Sequence, residues 1–301
     1  MRLRGYGTLG SFGHKSWRPI PQLIFPTTLL NLLLFATRHY PLTRGRDFFF
    51  RNFVLGRKVM EQLALLPNPQ QSRRGFPVYC NPRDTTSDWI KLWGEHERLT
   101  ERFLLKALKG GGTFLDLGAN VGYFSLLIAH EYGERCHVIA FEPNPPIFQL
   151  LLAGARASTH AGALLAVPMA ISDRAGRLDF VVDPKNTGHS HLAAAGEAGV
   201  NQSVEVVVLD EWLAGNPPPS RIKAVKLDVE GCELHALRGM ARMLREHRPA
   251  IVIEVIEEHL QTFGASTAGV AAFLKTLGYD LENASAADGN FYLPSPHQAD
   301  A

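Results

Sequence analysis

Short apolar runs alternate with longer stretches of helical periodicity along residues 81–301 of this chain. Apolar runs that end in a polar or turn residue predict strands at Thr113–Asp116, His137–Glu142, Leu164–Ile171, Arg177–Val182, Val204–Leu209, Ala224–Asp228, Ala250–Val255 and Gly278–Leu281. The periodic stretches predict helices at Trp89–Leu108, from the turn after Asp116 to about Tyr132, at Pro145–Ala157, at Glu230–Glu246 with a break near Gly239, and at Ala268–Leu277; Phe291–Leu293 adds an edge hairpin. Strands that alternate with helices predict an α/β domain with a mostly parallel sheet.

Residues 1–75 differ from the rest of the chain in charge. They carry 12 Lys and Arg against 2 Asp and Glu, whereas the remaining residues carry 19 and 27, so the net charge of +2 hides a strong asymmetry. Their apolar run Leu23–Ala36 is shorter than the roughly 20 residues that a membrane span needs. Two interpretations stay open: peripheral contact with an anionic membrane through residues 1–60, or a helical cap on the main domain.

The chain divides near residue 80. We predict a basic and apolar helical extension at residues 1–80, which ends in a linker because Pro67–Pro82 is rich in proline and polar residues. The main domain then covers residues 81–301. Its length, with 46% apolar and 20% charged residues over the whole chain, is typical of one substantial globular core.

The segment TFLDLGANVGY combines a strand end, a tight turn and a helix start. Asp116 ends the strand, and Gly118 and Gly122 flank Asn120, so a small molecule can lie against bare backbone. A dinucleotide fingerprint needs glycine where this chain has Asn120 and Tyr123, and a phosphate loop needs a Gly-Lys-Ser/Thr motif that is missing. An acid at the strand end suits a ligand with an ammonium group. S-adenosylmethionine carries one, and we predict it as the cofactor.

A second acid follows at the next strand end. Glu142 ends the strand His137–Glu142 and precedes Pro143. Ligands of open parallel sheets lie at the carboxyl ends of the strands, and one carboxylate can accept hydrogen bonds from both ribose hydroxyls. The alternative is that Glu142 merely caps the helix predicted at Pro145–Ala157. Its spacing from the glycine turn favours a single site with Asp116.

Six motifs carry a resemblance to a known family. They are DLGANVGYFS, FEPNP, AISDRAGRL, VVVLDEW, VKLDVEGCELHALRGM and RPAIVIEV, and they lie in this order between about residues 97 and 258. In this order they resemble FkbM-type methyltransferases. The resemblance implies a class I methyltransferase fold, which is a Rossmann-like seven-stranded sheet with one antiparallel strand flanked by helices. It also implies S-adenosylmethionine-dependent O-methylation, often of a sugar, glycolipid or secondary metabolite.

The predicted cofactor site combines the residues of both strand ends. Asp116 and the backbone of Gly118–Gly122 are expected to hold the amino acid portion of the cofactor, and Asn120 its carboxylate. Glu142 is expected to bind the ribose. Ser172 and Asp173, at the end of the third strand, are expected at the adenine edge, although Asp173 equally fits a turn residue in SDRAG.

The predicted catalytic residues are Asp228, Glu230 and Glu254, at the ends of two neighbouring strands. Carboxylates that converge there repel one another, which raises at least one pKa into the range of a general base. Glu230 as a helix cap and His259 as either a base or an exposed helix residue stay open. A divalent cation on these acids is a further alternative, but no Asp/His ligand spacing supports one, so no metal is predicted.

Other function classes receive less support. The three cysteines have no short spacing and favour neither a disulfide framework nor a metal site, which indicates a reducing compartment and a cytoplasmic enzyme. The catalytic part of the chain is net acidic, and it lacks the Asn-Pro-Pro-Tyr or Asp-Pro-Pro-Tyr motif of enzymes that methylate the amines of nucleic acid bases. Both observations argue against a nucleic acid partner. The acceptor is therefore predicted to be a small molecule or glycan. The alternative function is a pseudoenzyme that binds S-adenosylmethionine without methyl transfer, and the oligomeric state is undetermined.

Overall fold

The computed structural model describes residues 66, 68–82, 84–183, 186–194, 197, 199, 202–285 and 289–295. Residues 1–65 of the extension predicted at residues 1–80, and with them the membrane contact predicted for residues 1–60, lie outside the described residues. Among the helices that the structure describes, none combines the length and hydropathy that a bilayer crossing requires.

A seven-stranded sheet forms the centre of the domain, in the order β5–β4–β3–β10–β11–β13–β12. Six of its strands run in the same direction, and β13 runs antiparallel to both of its neighbours, β11 and β12. The strands of this sheet are β3 (Gly112–Leu117), β4 (Cys136–Phe141), β5 (Leu164–Val167), β10 (Ile222–Leu227), β11 (Ala250–Ile253), β12 (Tyr279–Ser285) and β13 (Gly289–Pro294). The mostly parallel seven-stranded sheet with one antiparallel strand, predicted from the resemblance, is thereby confirmed.

Helices cover both faces of this sheet. They are α1 (Thr85–Trp93), α2 (Arg98–Leu108), α3 (Tyr123–Tyr132), α4 (Pro145–Ala157), α5 (Leu209–Gly215), α6 (Glu233–Gly239), α7 (Ala241–His247), α8 (Glu257–Thr262) and α9 (Thr267–Thr276). The central strands β3 and β10 carry apolar residues on both faces, as strands covered by helices on both sides do. Leu115, Val225 and Ile251 pack in one core layer, whereas Phe114, Ala224 and Val252 pack in the other.

A second, smaller sheet follows β5 along the chain. It contains β6 (Ala170–Ile171), β7 (Gly176–Val181), β8 (His191–Leu192) and β9 (Gln202–Val207) in the order β6–β9–β7–β8. The single strand predicted at Leu164–Ile171 is therefore wrong in extent, because its first half belongs to the large sheet and its second half to the small one. Pro168 separates the two halves and has no N–H for a ladder hydrogen bond.

The helix predicted at Trp89–Leu108 is also divided in two. Helix α1 ends at Gly94, which has a φ of 67° that glycine adopts without steric cost. Helix α2 starts after Glu97, whose φ of 41° lies in the left-handed region. This break turns the residues before α2 toward the carboxyl ends of β10 and β11.

The segment predicted as a linker contains a short hairpin, β1 (Gln70–Gln71) and β2 (Pro77–Val78). Phe76, Val78 and Cys80 are at most 1% exposed and pack with residues of α2 and α3 in the core. Their alternate spacing points them to one side, so this segment belongs to the core in spite of its prolines. The boundary between extension and domain stays a prediction.

Candidate active site

The glycine turn between β3 and α3 is tied to the neighbouring strand. The N–H groups of Gly118 and Ala119 both donate to the carbonyl of Phe141, at 3.0 and 2.8 Å. Gly118, Asn120 and Gly122 have φ values of 81°, 51° and 83°, so the turn is left-handed along most of its length. This geometry brings the turn beside the end of β4, where Glu142 follows.

A cavity, called the inner cavity here, opens at the carboxyl ends of β3, β4 and β10. Its lining combines the glycine turn, the strand ends, the small sheet and the segment 186–192, which is called the strap here. The residues that matter for its chemistry are Gly118, Asn120, Glu142, Met169, Ile171, Thr187, Gly188, His191, Asp228 and Glu230. Five of the residues predicted from the sequence therefore meet around one space.

Glu142 is 7% exposed and is held by two backbone donors. Its Oε2 accepts from the N–H of Asn120 at 2.9 Å, and its Oε1 accepts from the N–H of Asn144 at 2.8 Å. Burial raises the pKa of Glu142 to about 7, although these hydrogen bonds oppose the shift. Each carboxylate oxygen keeps acceptor capacity for a further donor.

Asp116 lies beneath the turn and does not line the inner cavity. It is 1% exposed, its Oδ2 accepts from the Ser125 hydroxyl at 2.6 Å, and its Oδ1 has no hydrogen-bond partner among the described residues. Burial raises its pKa. Gly122 packs against Leu151 and likewise lies below the cavity. Both positions support the turn, and their contact with a cofactor stays a prediction.

Ser172 and Asp173 lie to the side of the inner cavity. The backbone of Ser172 packs closely on Gly239, and Asp173 Oδ2 is 3.1 Å from Nδ1 of His235. Met169 and Ile171, just before them, line the cavity instead. The predicted role of Ser172 and Asp173 at an adenine edge therefore receives no support from their position and stays a prediction.

A buried lysine lies at the centre of the acidic residues. Lys226 is 7% exposed, and its Nζ is 2.8 Å from Oδ2 of Asp228. Burial lowers the pKa of Lys226, but the carboxylates of Asp228, Glu97 and Asp116 raise it by more, so the net shift is upward. Lys226 is therefore a permanent cation that neutralises part of the surrounding negative charge.

The acids around Lys226 have different proton affinities. Burial alone would raise the pKa of Asp228, but Lys226 and hydrogen bonding with Glu254 hold it below its ordinary value. The negative charge of Asp228 is the main cause that raises the pKa of Glu254, an exposed residue, to about 10. Asp228 is therefore ionised at neutral pH, and Glu254 retains its proton and can donate it to Asp228.

Asp228, Glu230 and Glu254 each offer an oxygen within 4.8 Å of the others, a spacing that a divalent cation could bridge. Lys226 already pairs with Asp228, and Glu230 is bonded to a histidine. Two of the three carboxylates thus have a cationic or potentially cationic partner within the described residues. We assign no metal to this cluster.

A larger cavity of about 500 Å³, called the outer cavity here, adjoins the inner one. Its lining is rich in imidazoles and includes Asp183, His189, His191, Glu230, His259 and Phe263. Glu230 and His191 line both cavities. Glu230 Oε2 is 3.1 Å from Nδ1 of His259. Burial raises the pKa of Glu230 against the opposing hydrogen bond from His259.

The strap lies over the inner cavity, and residues before and at the start of α1 hold it. The Asn81 amide donates to the Thr187 hydroxyl, and the Asn186 amide donates to the Thr85 hydroxyl at 3.0 Å. The Asn120 amide is 3.5 Å from Asp84, which also caps α1. The strap is thus fastened from the amino-terminal side of the domain.

Comparison with known proteins assigns the family. The family model of the methyltransferase FkbM domain matches residues 116–281, which is more than half of the chain. The chain belongs to the FkbM methyltransferase domain family. The family-matched region contains every site residue predicted from the sequence, from Asp116 to Glu254.

Individual methyltransferases are also similar to this chain. The hexuronic acid methyltransferase AglP of Haloferax volcanii is 26% identical, over 54% of this chain and 62% of its own length. The methyltransferase sdnD of Sordaria araneosa is 27% identical, over 56% of this chain and 73% of its own length. The chain thus spans less than two thirds of the first of these relatives.

Solved structures give more distant likenesses. The crystal structure of an FkbM methyltransferase from Methylobacillus flagellatus has a TM-score of 0.44 at 15% identity, covering 81% of this chain and 60% of that one. The O-methyltransferase TomG from Streptomyces achromogenes has a TM-score of 0.41 at 12% identity, covering 65% and 79%. The α/β fold of this FkbM family member follows from the strand order of its own seven-stranded sheet.

Several residues of this site precede the family-matched region, and sequence reasoning missed them. Glu97 lies close enough to Lys226 for their charges to interact. Burial acts to raise the pKa of Glu97, but His96 and Lys226 hold that pKa below its ordinary value. Asn81, Thr85 and Asp84 fasten the strap and the turn. Their only local signal is the cap sequence Asp84 to Ser87 before α1, which indicates a helix start and nothing about a site.

Proposed function

We propose that this protein is an S-adenosylmethionine-dependent methyltransferase that acts on a hydroxyl oxygen of a small molecule or glycan, such as a sugar, glycolipid or secondary metabolite. The observation that carries the proposal is the meeting of two cavities at one acid. Glu230 lines the inner cavity beside the glycine turn and also the outer cavity of about 500 Å³, a volume within the roughly 300–1,000 Å³ of ligand sites.

The inner cavity has the groups that S-adenosylmethionine would need. Glu142 would accept hydrogen bonds from the ribose hydroxyls, and the left-handed turn at residues 118–120 leaves backbone accessible to the amino acid portion. Met169 and Ile171 provide an apolar wall for a flat heterocycle. Beneath the turn and outside the cavity lining, Asp116 Oδ1 has no hydrogen-bond partner among the described residues, and its carboxylate would favour an ammonium group above the turn. When bound, this cofactor supplies a methyl group that its sulfonium has already activated.

The protein residues must align the acceptor and remove its proton. The outer cavity would hold the acceptor so that one hydroxyl lies near Glu230, where the two cavities meet and where negative charge favours removal of the proton. Asp228 stays ionised, and Glu254 stays protonated against it, so the two acids would share one proton near the reacting groups. Hexuronic acid, which names the relative AglP, is one acceptor of the proposed class.

Titration with S-adenosylhomocysteine tests the cofactor site. We expect Glu142→Gln to weaken binding about 100-fold, because it loses charge-assisted hydrogen bonds of about 1.5–3 kcal/mol each. Glu134→Gln, the same change at an exposed acid, is the matched control and should bind as the unaltered protein does. Isothermal titration calorimetry measures both. No binding by the unaltered protein would refute the proposed function, and equal binding by Glu142→Gln would refute the ribose role.

The same variant separates binding from stability. Burial raises the folded pKa of Glu142 from 4.5 to about 7, so its stabilising contribution is complete below pH 4.5 and is lost as the pH rises toward 7. Glu142→Gln has no such loss. Relative to the unaltered protein, the free energy of unfolding of Glu142→Gln should therefore increase, meaning that the variant becomes relatively more stable, between about pH 5 and about pH 8. Urea unfolding at the two pH values measures this change.

The strap must shift when a cofactor enters. The inner cavity is about 60 Å³ with the strap in place, far below the roughly 300–1,000 Å³ of ligand sites. Asn81→Ala removes one side-chain hydrogen bond to Thr187, worth about 1 kcal/mol. We expect S-adenosylhomocysteine to dissociate about five times faster, as measured by surface plasmon resonance. An unchanged dissociation rate would show that the strap does not limit exchange.

A further inference from the structure

A histidine and a carboxylate form a pair where the two cavities meet. His259 lies on α8 and lines the outer cavity, with its side chain 37% exposed. Its Nδ1 is 3.1 Å from Oε2 of Glu230, whose side chain is 15% exposed. The imidazole of His259 is thus open to the outer cavity, while the Glu230 carboxylate is more buried and also lines the inner cavity.

The turn after β10 fixes this pair from behind. Glu233 Oε1 accepts from the N–H groups of Val229 and Gly231, both at 3.1 Å, and so holds the turn that presents Glu230. Glu230 has a φ of 52°, which directs its side chain out of the turn. A Cβ at Gly231 would lie 2.6 Å from the His259 carbonyl oxygen, so only glycine lets the turn approach α8 so closely.

The pairing decides which nitrogen is free. A carboxylate can only accept, so the Glu230 contact selects the tautomer in which Nδ1 carries the proton and Nε2 keeps a lone pair. No hydrogen bond to Nε2 is made by any residue in the described parts of the chain. A neighbouring pair lacks this property: His235 contacts Asp173 through Nδ1 at 3.1 Å and the Phe263 carbonyl through Nε2 at 3.3 Å.

We propose that His259 is the catalytic base that accepts the acceptor's hydroxyl proton on Nε2, and that Glu230 is its positioning residue. This inference rests on the proposed methyl transfer and names the atom that receives the proton. An imidazole suits the task because a base works best when its pKa lies near the working pH. Glu230 orients the ring and stabilises the imidazolium that forms, as a carboxylate does in other histidine-based sites.

Proton transfer and methyl transfer balance in atoms and electrons. The hydroxyl O–H bond breaks and its proton moves to Nε2 of His259, which becomes an imidazolium while Nδ1 keeps its proton toward Glu230. The oxygen electron pair forms the new bond to the methyl carbon, and the electron pair of the broken carbon–sulfur bond goes to sulfur. The products are a methyl ether, S-adenosylhomocysteine and an imidazolium that returns its proton to solvent.

Charges from every adjoining element act on His259. Glu230 faces it from the turn after β10, Glu233 from the start of α6, and Glu258 from its own helix. Together they raise the pKa of His259, with the Glu230 hydrogen bond as the largest cause and burial opposing. The His189 ring lies 6.4 Å away across the outer cavity, whose lining also contains the ionisable side chains of Asp183 and His191. A raised pKa means that the free base, and with it activity, appears only as the pH rises above the ordinary histidine value of 6.5.

Nuclear magnetic resonance of ¹⁵N-labelled imidazoles tests the pair without an acceptor. His259→Gln identifies the His259 signals by their loss. We expect the unaltered protein above its His259 pKa to show a protonated Nδ1 and an unprotonated Nε2, and we expect Glu230→Gln to lower that pKa. The His235 signals should not move in Glu230→Gln. A protonated Nε2 on neutral His259, or an unchanged pKa in Glu230→Gln, would overturn the proposal.

Activity and cofactor binding then separate the two proposals. Methyl hexuronosides serve as the acceptor probe, with S-adenosylhomocysteine formation as the signal. We expect His259→Gln to lower kcat by about 10²–10⁴-fold with unchanged affinity for S-adenosylhomocysteine, and imidazole in solution to restore part of the kcat of His259→Ala. An unchanged kcat in His259→Gln refutes the base. Absence of S-adenosylhomocysteine binding to the unaltered protein refutes the methyltransferase itself and leaves the resonance result standing.

Discussion

Gly118→Ala is expected to abolish S-adenosylhomocysteine binding and to lower the free energy of unfolding by about 2–5 kcal/mol. Two costs add. An L-residue at the observed φ of 81° costs about 1–2 kcal/mol, and an extra methyl group in a packed interior costs about 1–3 kcal/mol. The new Cβ would lie 1.7 Å from the Asp228 carbonyl oxygen, so the two loops cannot keep their present positions.

Gly118→Ala is expected to disrupt the cofactor site because the two displaced loops position Glu142 and Asp228. The Gly118 N–H is bonded to Phe141, next to Glu142, and the Asp228 N–H is bonded to the Leu117 carbonyl at 3.0 Å. Movement of either loop therefore separates Glu142 from Asp228. Relief by a small shift of a flexible side chain is excluded, since the obstacle is backbone.

A matched glycine provides the control for Gly118→Ala. Gly162 is exposed and has no positive φ, and a methyl group added there would meet no atom within 4 Å among the described residues. Gly162→Ala should therefore leave both unfolding and binding unchanged. Urea unfolding and calorimetric titration measure the two properties. A Gly118→Ala protein that folds and binds as the unaltered protein does would show that the two loops tolerate separation, which contradicts the packing described above.

Local patterns in the sequence were sufficient for the strands and the turn. The apolar runs predicted β3, β4, β10 and β11, and the glycines around Asn120 predicted the left-handed turn that the structure shows. These features depend on neighbouring residues, whose chemistry is visible in a short window. The position of Glu142 beside the glycine turn also followed, because carboxyl ends of parallel strands share one edge.

Contacts between distant segments could not be predicted in this way. Asn81 and Thr187 are separated by 106 residues along the chain, and Glu97 reaches Lys226 only because helix α2 breaks from α1 at Gly94. The Ser172 position depends on how closely the small sheet packs on Gly239. No hydrophobic period or motif records such packing, so the strap, the second sheet and the surroundings of Lys226 emerged only from the structure.

Lys226→Met is expected to lower the free energy of unfolding by about 3–5 kcal/mol at neutral pH, the usual effect of removing one partner from a buried ion pair. Methionine preserves most of the side-chain volume beside the Phe124 ring, so the change is mainly electrostatic. Asp228 loses its cation at 2.8 Å, and Asp116 and Glu97 lose the charge that offsets their repulsion. Exposed Lys275, paired with Asp280, provides the control: Lys275→Met should cost less than about 1 kcal/mol.

The pH dependence of Lys226→Met gives the sharper test. In the unaltered protein, Lys226 helps to hold the folded pKa of Asp228 below the ordinary value of 3.8, so the resulting stability is present above pH 3.8 and is lost as the pH falls through that depressed pKa. Without the ammonium, burial raises the folded pKa of Asp228 instead, so the loss of stability grows as the pH rises. The difference in unfolding free energy between the two proteins should therefore be larger at about pH 8 than at about pH 5. Adding Asp228→Asn removes one of the negative charges that Lys226→Met leaves without a cation, and it should recover part of the lost free energy of unfolding. If urea unfolding showed a constant difference across this range and no recovery in the double variant, the cost would be one of packing, and Lys226 would not be the cation that lets three acids lie together at the end of β10.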